Sequence, residues 1–135
     1  MATTTATITL NSTDLLSDEL ALSTTATLTS AGTSTGLTTA EGLSRKKTTS
    51  SGQYTLFSAS SFTDDKAHKV YLKNTETTAG LYFLVSIHDV EVGRLYAGDW
   101  ALIPWSADTT GDNADFKITP SSSASHTLEY MLFTD

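Results

Sequence analysis

The chain has 135 residues, a formal net charge of -7 and no cysteine. That length fits one domain, or a domain with an arm, and lets roughly two thirds of the unfolded chain's surface be buried. The lack of cysteine excludes disulfides, thiolate metal sites and cysteine nucleophiles, and suits a chain made and matured in a reducing cytoplasm.

No apolar run approaches the roughly 18 residues of a membrane span, and the start "MATTTATITL" lacks the basic and apolar blocks of a signal peptide. A soluble, unexported product with no membrane partner is expected. Only 17% of residues are charged, whereas 43 are Ser or Thr. Such hydroxyls decorate outward strand positions and turns more readily than helix interiors, so the composition predicts an all-β chain. An acidic balance without a basic stripe argues against a nucleic-acid partner, whose phosphates need Lys and Arg. The exception, "SRKK" from Ser44 to Lys47, reads as a solvated strand edge or loop.

Residues 1–63 form a Thr/Ser-rich, weakly patterned N-terminal part that contributes strands to the same domain, and residues 64–135 carry the core strands. In the first part Ile8 and Leu10 share a parity, as do Leu20 and Leu22, with Ala26 and Leu28 continuing that face. "STDLLSDE" offers caps at Ser12, Thr13 or Asp14 and predicts a loop or one helical turn.

From His68 the alternation sharpens. "HKVYLKN" puts Val70 and Leu72 on one face and Tyr71 on the other. "LYFLVSI" sets Leu81, Phe83, Val85 and Ile87 against Tyr82, Leu84 and Ser86. His88-Asp89 is short enough for a hairpin, although it lacks an Asn-Gly signature. In "VEVGRLY" the apolar side is Val90, Val92 and Tyr96, and Ala97-Gly98-Asp99 turns the chain again.

"WALIPW" is apolar on both sides, with Trp100 and Leu102 pointing one way and Ala101, Ile103 and Trp105 the other. One side suits the opposing sheet; the second needs the N-terminal segment or another copy of the chain. Both tryptophans filling the internal core is the alternative. Pro104 places this strand near a sheet edge, because proline cannot donate to a ladder. The candidate contact residues are Trp100, Ile103, Pro104 and Trp105, with Tyr82 and Leu84 from the preceding apolar strand. "DFKIT" aligns Phe116 with Ile118. The last strand, "TLEYMLF", sets Leu128, Tyr130 and Leu132 against Glu129, Met131 and Phe133; apolar on nearly both sides, it is expected to be central or paired to a neighbour. Roughly eight to ten strands with regular turn signals predict a two-sheet β-sandwich, jelly-roll-like.

Catalytic chemistry is not indicated. His68, His88 and His126 lie too far apart in sequence for a local metal motif and are expected as exposed turn residues. "DTTGDNAD", with Asp108, Asp112, Asn113 and Asp115, does not follow the calcium-loop spacing and reads as a solvated acidic loop. No serine sits in G-x-S-x-G or S-x-x-K. Adjacent carboxylates such as Asp64-Asp65 and Asp18-Glu19 would point to opposite faces of a strand, and "AGTSTG" has no following lysine to hold a phosphate. No catalytic residue, cofactor or metal is expected, and the chain is read as a non-enzyme.

In order, "HKVYLKNTE", "VGRLYAGDWALIPW" and the closing "LEYMLF" resemble small virion structural proteins of tailed bacteriophages, especially marine and cyanobacterial phages. These carry "VYIKN"-like, "G-x-L-x-x-G-[DE]-[FW]-A-x-x-P-W"-like and "EYM-[LV]-F"-like elements. The stretch from "DLLSDELALSTT" to "SRKKTTS" is similar to their N-terminal part. The resemblance implies a capsid-surface decoration (cement) protein, expected as a homotrimer that holds neighbouring major capsid proteins together. A tail, fibre or adaptor component is the second expectation. A carbohydrate- or receptor-binding module is another, with Tyr54, Tyr71, Tyr82 and Trp105 as stacking residues.

Overall fold

Alternating apolar residues become strands wherever two sheets can share them. The computed structural model describes residues 5–12, 20–27, 39–66, 68–110 and 113–134. From Ser44 onward these contain β4 (Ser44–Thr48), β5 (Tyr54–Phe57), β6 (His68–Asn74), β7 (Tyr82–Ile87), β8 (Val90–Tyr96), β9 (Trp100–Trp105), β10 (Phe116–Pro120) and β11 (His126–Thr134). Before them come β1 (Thr5–Ser12), β2 (Leu20–Thr27) and the two-residue β3 (Thr39–Ala40); a short 3-10 turn, Ala59–Ser61, follows β5. Most of "STDLLSDE", residues 13–19, lies outside the described residues, as do Leu28, "AGTSTG", Asp112 and the start of the chain.

One sheet has the order β5-β10-β7-β8, and the other β3-β11-β6-β9 with β4 also on β11. β3 and β4 lie end to end along one edge of β11, because β4 pairs with His126–Tyr130 and β3 with Phe133 and Thr134, while β6 takes the other edge. Four strands therefore stack on four. Every connection from β4 to β11 changes sheet except the β7–β8 hairpin, which is the winding of a jelly roll. The chain is thus the expected two-sheet β-sandwich, with ten strands if β3 and β4 count as one interrupted strand. β11 is central and β9 is an edge strand, so Pro104 sits where a missing ladder donor costs least.

The core takes Phe83, Val85, Phe116 and Ile118 from one sheet and Val70, Leu72, Leu128 and Leu132 from the other. At one end an aromatic group gathers around Trp105, with the rings of Phe62, His68 and Phe57 at 5.3, 5.4 and 5.9 Å. One expectation is corrected here. His68 and His126 are 2% and 0% exposed, not turn residues in water, because each opens a strand on its inner face. On β8 the buried residue is Leu95, whereas Val90, Val92 and Tyr96 are exposed. The cause is a register shift at Val85/Ser86, which breaks the parity along an edge strand.

Two turns shape the β7–β9 region. His88 and Asp89 have φ of 48° and 56°, the two positive values that a tight hairpin turn demands. Lys117 donates to the Asp89 carboxylate at 2.9 Å. This bond, followed by one from Gln53, holds the Asp89 carboxyl below its usual range. A lowered carboxyl stabilises the fold at neutral pH, and that contribution is lost as pH falls through and below the ordinary carboxylate range. Asn adopts positive φ more readily than His. His88→Asn is therefore expected to raise the thermal midpoint by about 1–3 °C, as read by circular dichroism. At the second turn, Gly98 has φ of 85°, and the Asp99 N–H donates back to the Tyr96 carbonyl at 2.9 Å.

β1 and β2 form a separate two-stranded sheet, paired from Thr5↔Thr27 to Ser12↔Leu20. Hydroxyl pairs tie its outer side, with Thr7 to Thr25 at 2.7 Å and Thr9 to Ser23 at 3.4 Å.

Candidate functional site

A sandwich has two open sides, and on one of them this chain leaves apolar groups uncovered. β8 ends the four-stranded sheet and β9 ends the other, so two unpaired edges lie beside each other, joined by the Ala97–Asp99 turn. Unpaired edges offer backbone donors and acceptors to an incoming strand. Val90, Val92, Tyr96 and Trp100 are 64, 52, 45 and 57% exposed along these two strands. Between the sheets at this side is a gap of about 210 Å³, lined by Val85, Val92, Leu95, Ala101 and Ile103. Val85 and Leu95 in its walls belong to the core and Val92 is half exposed, so the gap opens the hydrophobic interior towards the edge.

The two charged side chains of β8 pair with each other. Arg94 donates to Glu91 at 3.1 Å across the irregular part of β8, and this bond is the first cause that raises the guanidinium's pKa. The Arg94 guanidinium also lies 5.1 Å from the Tyr82 ring centre, and Tyr82 is 5.1 Å from Tyr96. Such contacts order the side chains without closing the edge.

The six candidate contact residues fall in three places. Trp100 and Pro104 are exposed on β9, and Ile103 packs inward against the core at the rim of the gap. Tyr82 and Leu84 are half-buried on β7, paired with Tyr96 and Arg94 of the edge strand. Trp105 is a correction: at 3% exposure it belongs to the internal core and presents no contact surface. Its Nε1–H donates to the Ala114 carbonyl at 2.8 Å. Sequence reading missed Val90, Val92 and Tyr96 as surface residues, because alternation placed them together without showing that β8 ends its sheet or that its register shifts between them.

The other side of β9 meets the N-terminal hairpin. Met131, Tyr71 and Leu102 stand in one cross-strand row on the outer face of the five-stranded sheet. Thr5–Ile8 of β1, with Trp100 and Leu102, bound a hollow of about 250 Å³ there. Beside it, Arg45 holds Glu129 through two bonds of 3.2 and 3.0 Å, and the Tyr71 hydroxyl donates to the same carboxylate at 3.4 Å. Burial, then the Glu129 charge and hydrogen bond, push the Tyr71 phenol above its usual range, so it remains a donor at neutral pH.

Groups that could suggest catalysis are engaged structurally. Ser121 Oγ lies 3.1 Å from His126 Nε2, but the same oxygen accepts the Tyr82 N–H, and His126 Nδ1 donates to the Ala124 carbonyl at 2.6 Å. With His126 fully buried, this pair clamps the 121–125 turn. Asp64 and Asp108 accept from Thr109 and Thr110. Among the described residues no three His, Asp or Glu side chains gather as a metal-ligand set, and no helix is long and apolar enough to cross a membrane. Compared with protein-family models, curated proteins and solved structures, the chain gives no match.

Proposed function

We propose that this protein is a non-enzymatic structural subunit of a bacteriophage virion, a capsid decoration protein that docks on major capsid proteins through the β8–β9 side. The observation that carries this reading is the run of exposed Val90, Val92, Tyr96 and Trp100 on two adjacent unpaired edges. Apolar edges of this kind invite strand addition, and an aromatic residue at the centre of a contact supplies much of its binding energy. The jelly-roll winding suits the role, since capsid proteins use it, although lectin domains and cupins use it too.

The test is binding of the purified full chain to empty heads of the encoding phage, followed by electron microscopy. Bound density on the head surface is the expected result. Val92→Lys, which puts a charge at the mouth of the gap through a side chain 52% exposed, is expected to weaken binding at least about tenfold while shifting the unfolding midpoint by only a few degrees. No binding by the unaltered chain, or binding unaffected by Val92→Lys, would overturn the reading.

Carbohydrate binding is the second reading, favoured by the Tyr82–Tyr96 pair with Arg94 beside it. Tyr54 is less suited, because its hydroxyl is held by Ser50 at 2.7 Å, and Trp105 is buried. A sugar would bind the isolated chain and leave head binding to the Val92 edge unchanged.

A further inference from the structure

The N-terminal hairpin raises a question of its own, since it belongs to neither sheet of the sandwich. A two-stranded hairpin is marginal in water and needs a surface to lie on. Its strands carry no charged residue, so apolar, hydroxyl and amide groups must hold it down. Within the chain it is incompletely seated. A hollow of about 250 Å³ separates Ala6 and Ile8 from Tyr71, Trp100, Leu102 and Met131, room for several waters in a largely apolar space. Ile8 and Leu10 remain 37 and 48% exposed, and Leu43 at the same hollow 57%.

We infer that the hairpin is an exchangeable arm, which in the assembled protein lies over the outer face of the five-stranded sheet of a second copy of this chain. The occupant follows from the intrachain seating. Thr5–Ile8 border the same hollow as Tyr71, Trp100, Leu102 and Met131, and every copy presents that face, so the hairpin of a second copy meets the same apolar groups at little cost. The tether permits it. Residues 28–38 separate β2 from β3, and that many residues reach up to about 36–40 Å when extended, whereas a domain of this size has a radius of gyration of about 14 Å. Trp100 joins the hollow to the exposed β8–β9 edge, so arm exchange and edge docking use adjoining surfaces. The inference deepens the assembly reading above by naming what links one copy to the next.

The absence of natural cysteine makes the test clean. In the full chain, Ile8→Cys and Leu102→Cys are combined, and the protein is oxidised over a range of concentrations. Exchange predicts covalent dimers or larger rings, with the disulfide between positions 8 and 102 identified by mass spectrometry. Mixing the two single variants should likewise give a heterodimer joined at those positions, at least about tenfold above a control pairing Ile8→Cys with Thr119→Cys on the other sheet. Sedimentation of the unaltered chain supplies a readout independent of any substitution: a mass of two or more chains is expected. A double variant that closes only on itself, or an unaltered chain that stays monomeric at millimolar concentration, would overturn the inference. Its failure is distinguishable from that of the proposed function, because heads could still bind a monomer through the Val92 edge.

Discussion

Trp105→Ala is expected to destabilise the fold by about 3–5 kcal/mol, a large part of the roughly 5–15 kcal/mol that holds a domain together. Trp105 is 3% exposed, and its ring is in contact with Phe57, Phe62, His68 and Phe116 from four different parts of the chain. Truncation empties the centre of that group. It also strands the Ala114 carbonyl, which the indole N–H now satisfies at 2.8 Å. Trp105→Phe should recover much of the volume but not the hydrogen bond, leaving a loss of about 1–3 kcal/mol. Trp100→Ala, a change at a side chain 57% exposed, should shift stability by only about 0.5 kcal/mol. Urea unfolding followed by circular dichroism measures all three. Equal losses for the two alanine variants would contradict the division of the tryptophans between core and surface.

Asn74→Ala is expected to cost about 3–5 kcal/mol and lower the thermal midpoint by about 10–20 °C. Few side chains in this protein hold so much together. Asn74 is fully buried at the end of β6, and its amide donates to the carbonyls of Leu81 and Leu95 at 3.2 and 3.0 Å. Its side-chain oxygen accepts from the Glu76 N–H at 3.1 Å. The Asn74 backbone also binds Asp99 and Gly98, so this residue fastens the 75–81 connection to the turn before β9. Alanine removes all three side-chain bonds and leaves buried carbonyls without partners. Asn74→Asp replaces a donor with an acceptor facing two carbonyl oxygens and should be no better tolerated at neutral pH. Differential scanning calorimetry gives the shift directly; a loss below about 1 kcal/mol would show that water replaces the amide there.

Much of the architecture was legible in residue order. Alternation at Val70/Leu72, Phe83/Val85, Phe116/Ile118 and Leu128/Leu132 predicted which side chains share a face, and all eight are buried. Pro104 predicted an edge, and the doubly apolar "TLEYMLF" a central strand, because backbone donors and side-chain polarity are properties of the strand that carries them. Which face meets water is a different kind of fact. Val90, Val92 and Tyr96 share an apolar pattern with the core strands yet are exposed, since β8 is an edge and its parity shifts at the irregularity opposite Val85. Trp100 and Trp105 stand five positions apart in one strand, and only the arrival of Phe57 and Phe116 from distant segments places the second inside and leaves the first at the surface. His68 and His126 are buried for the same reason. A local pattern records how neighbouring side chains are oriented relative to one another; burial depends on what packs against them, and that is set by pairings between residues far apart along the chain.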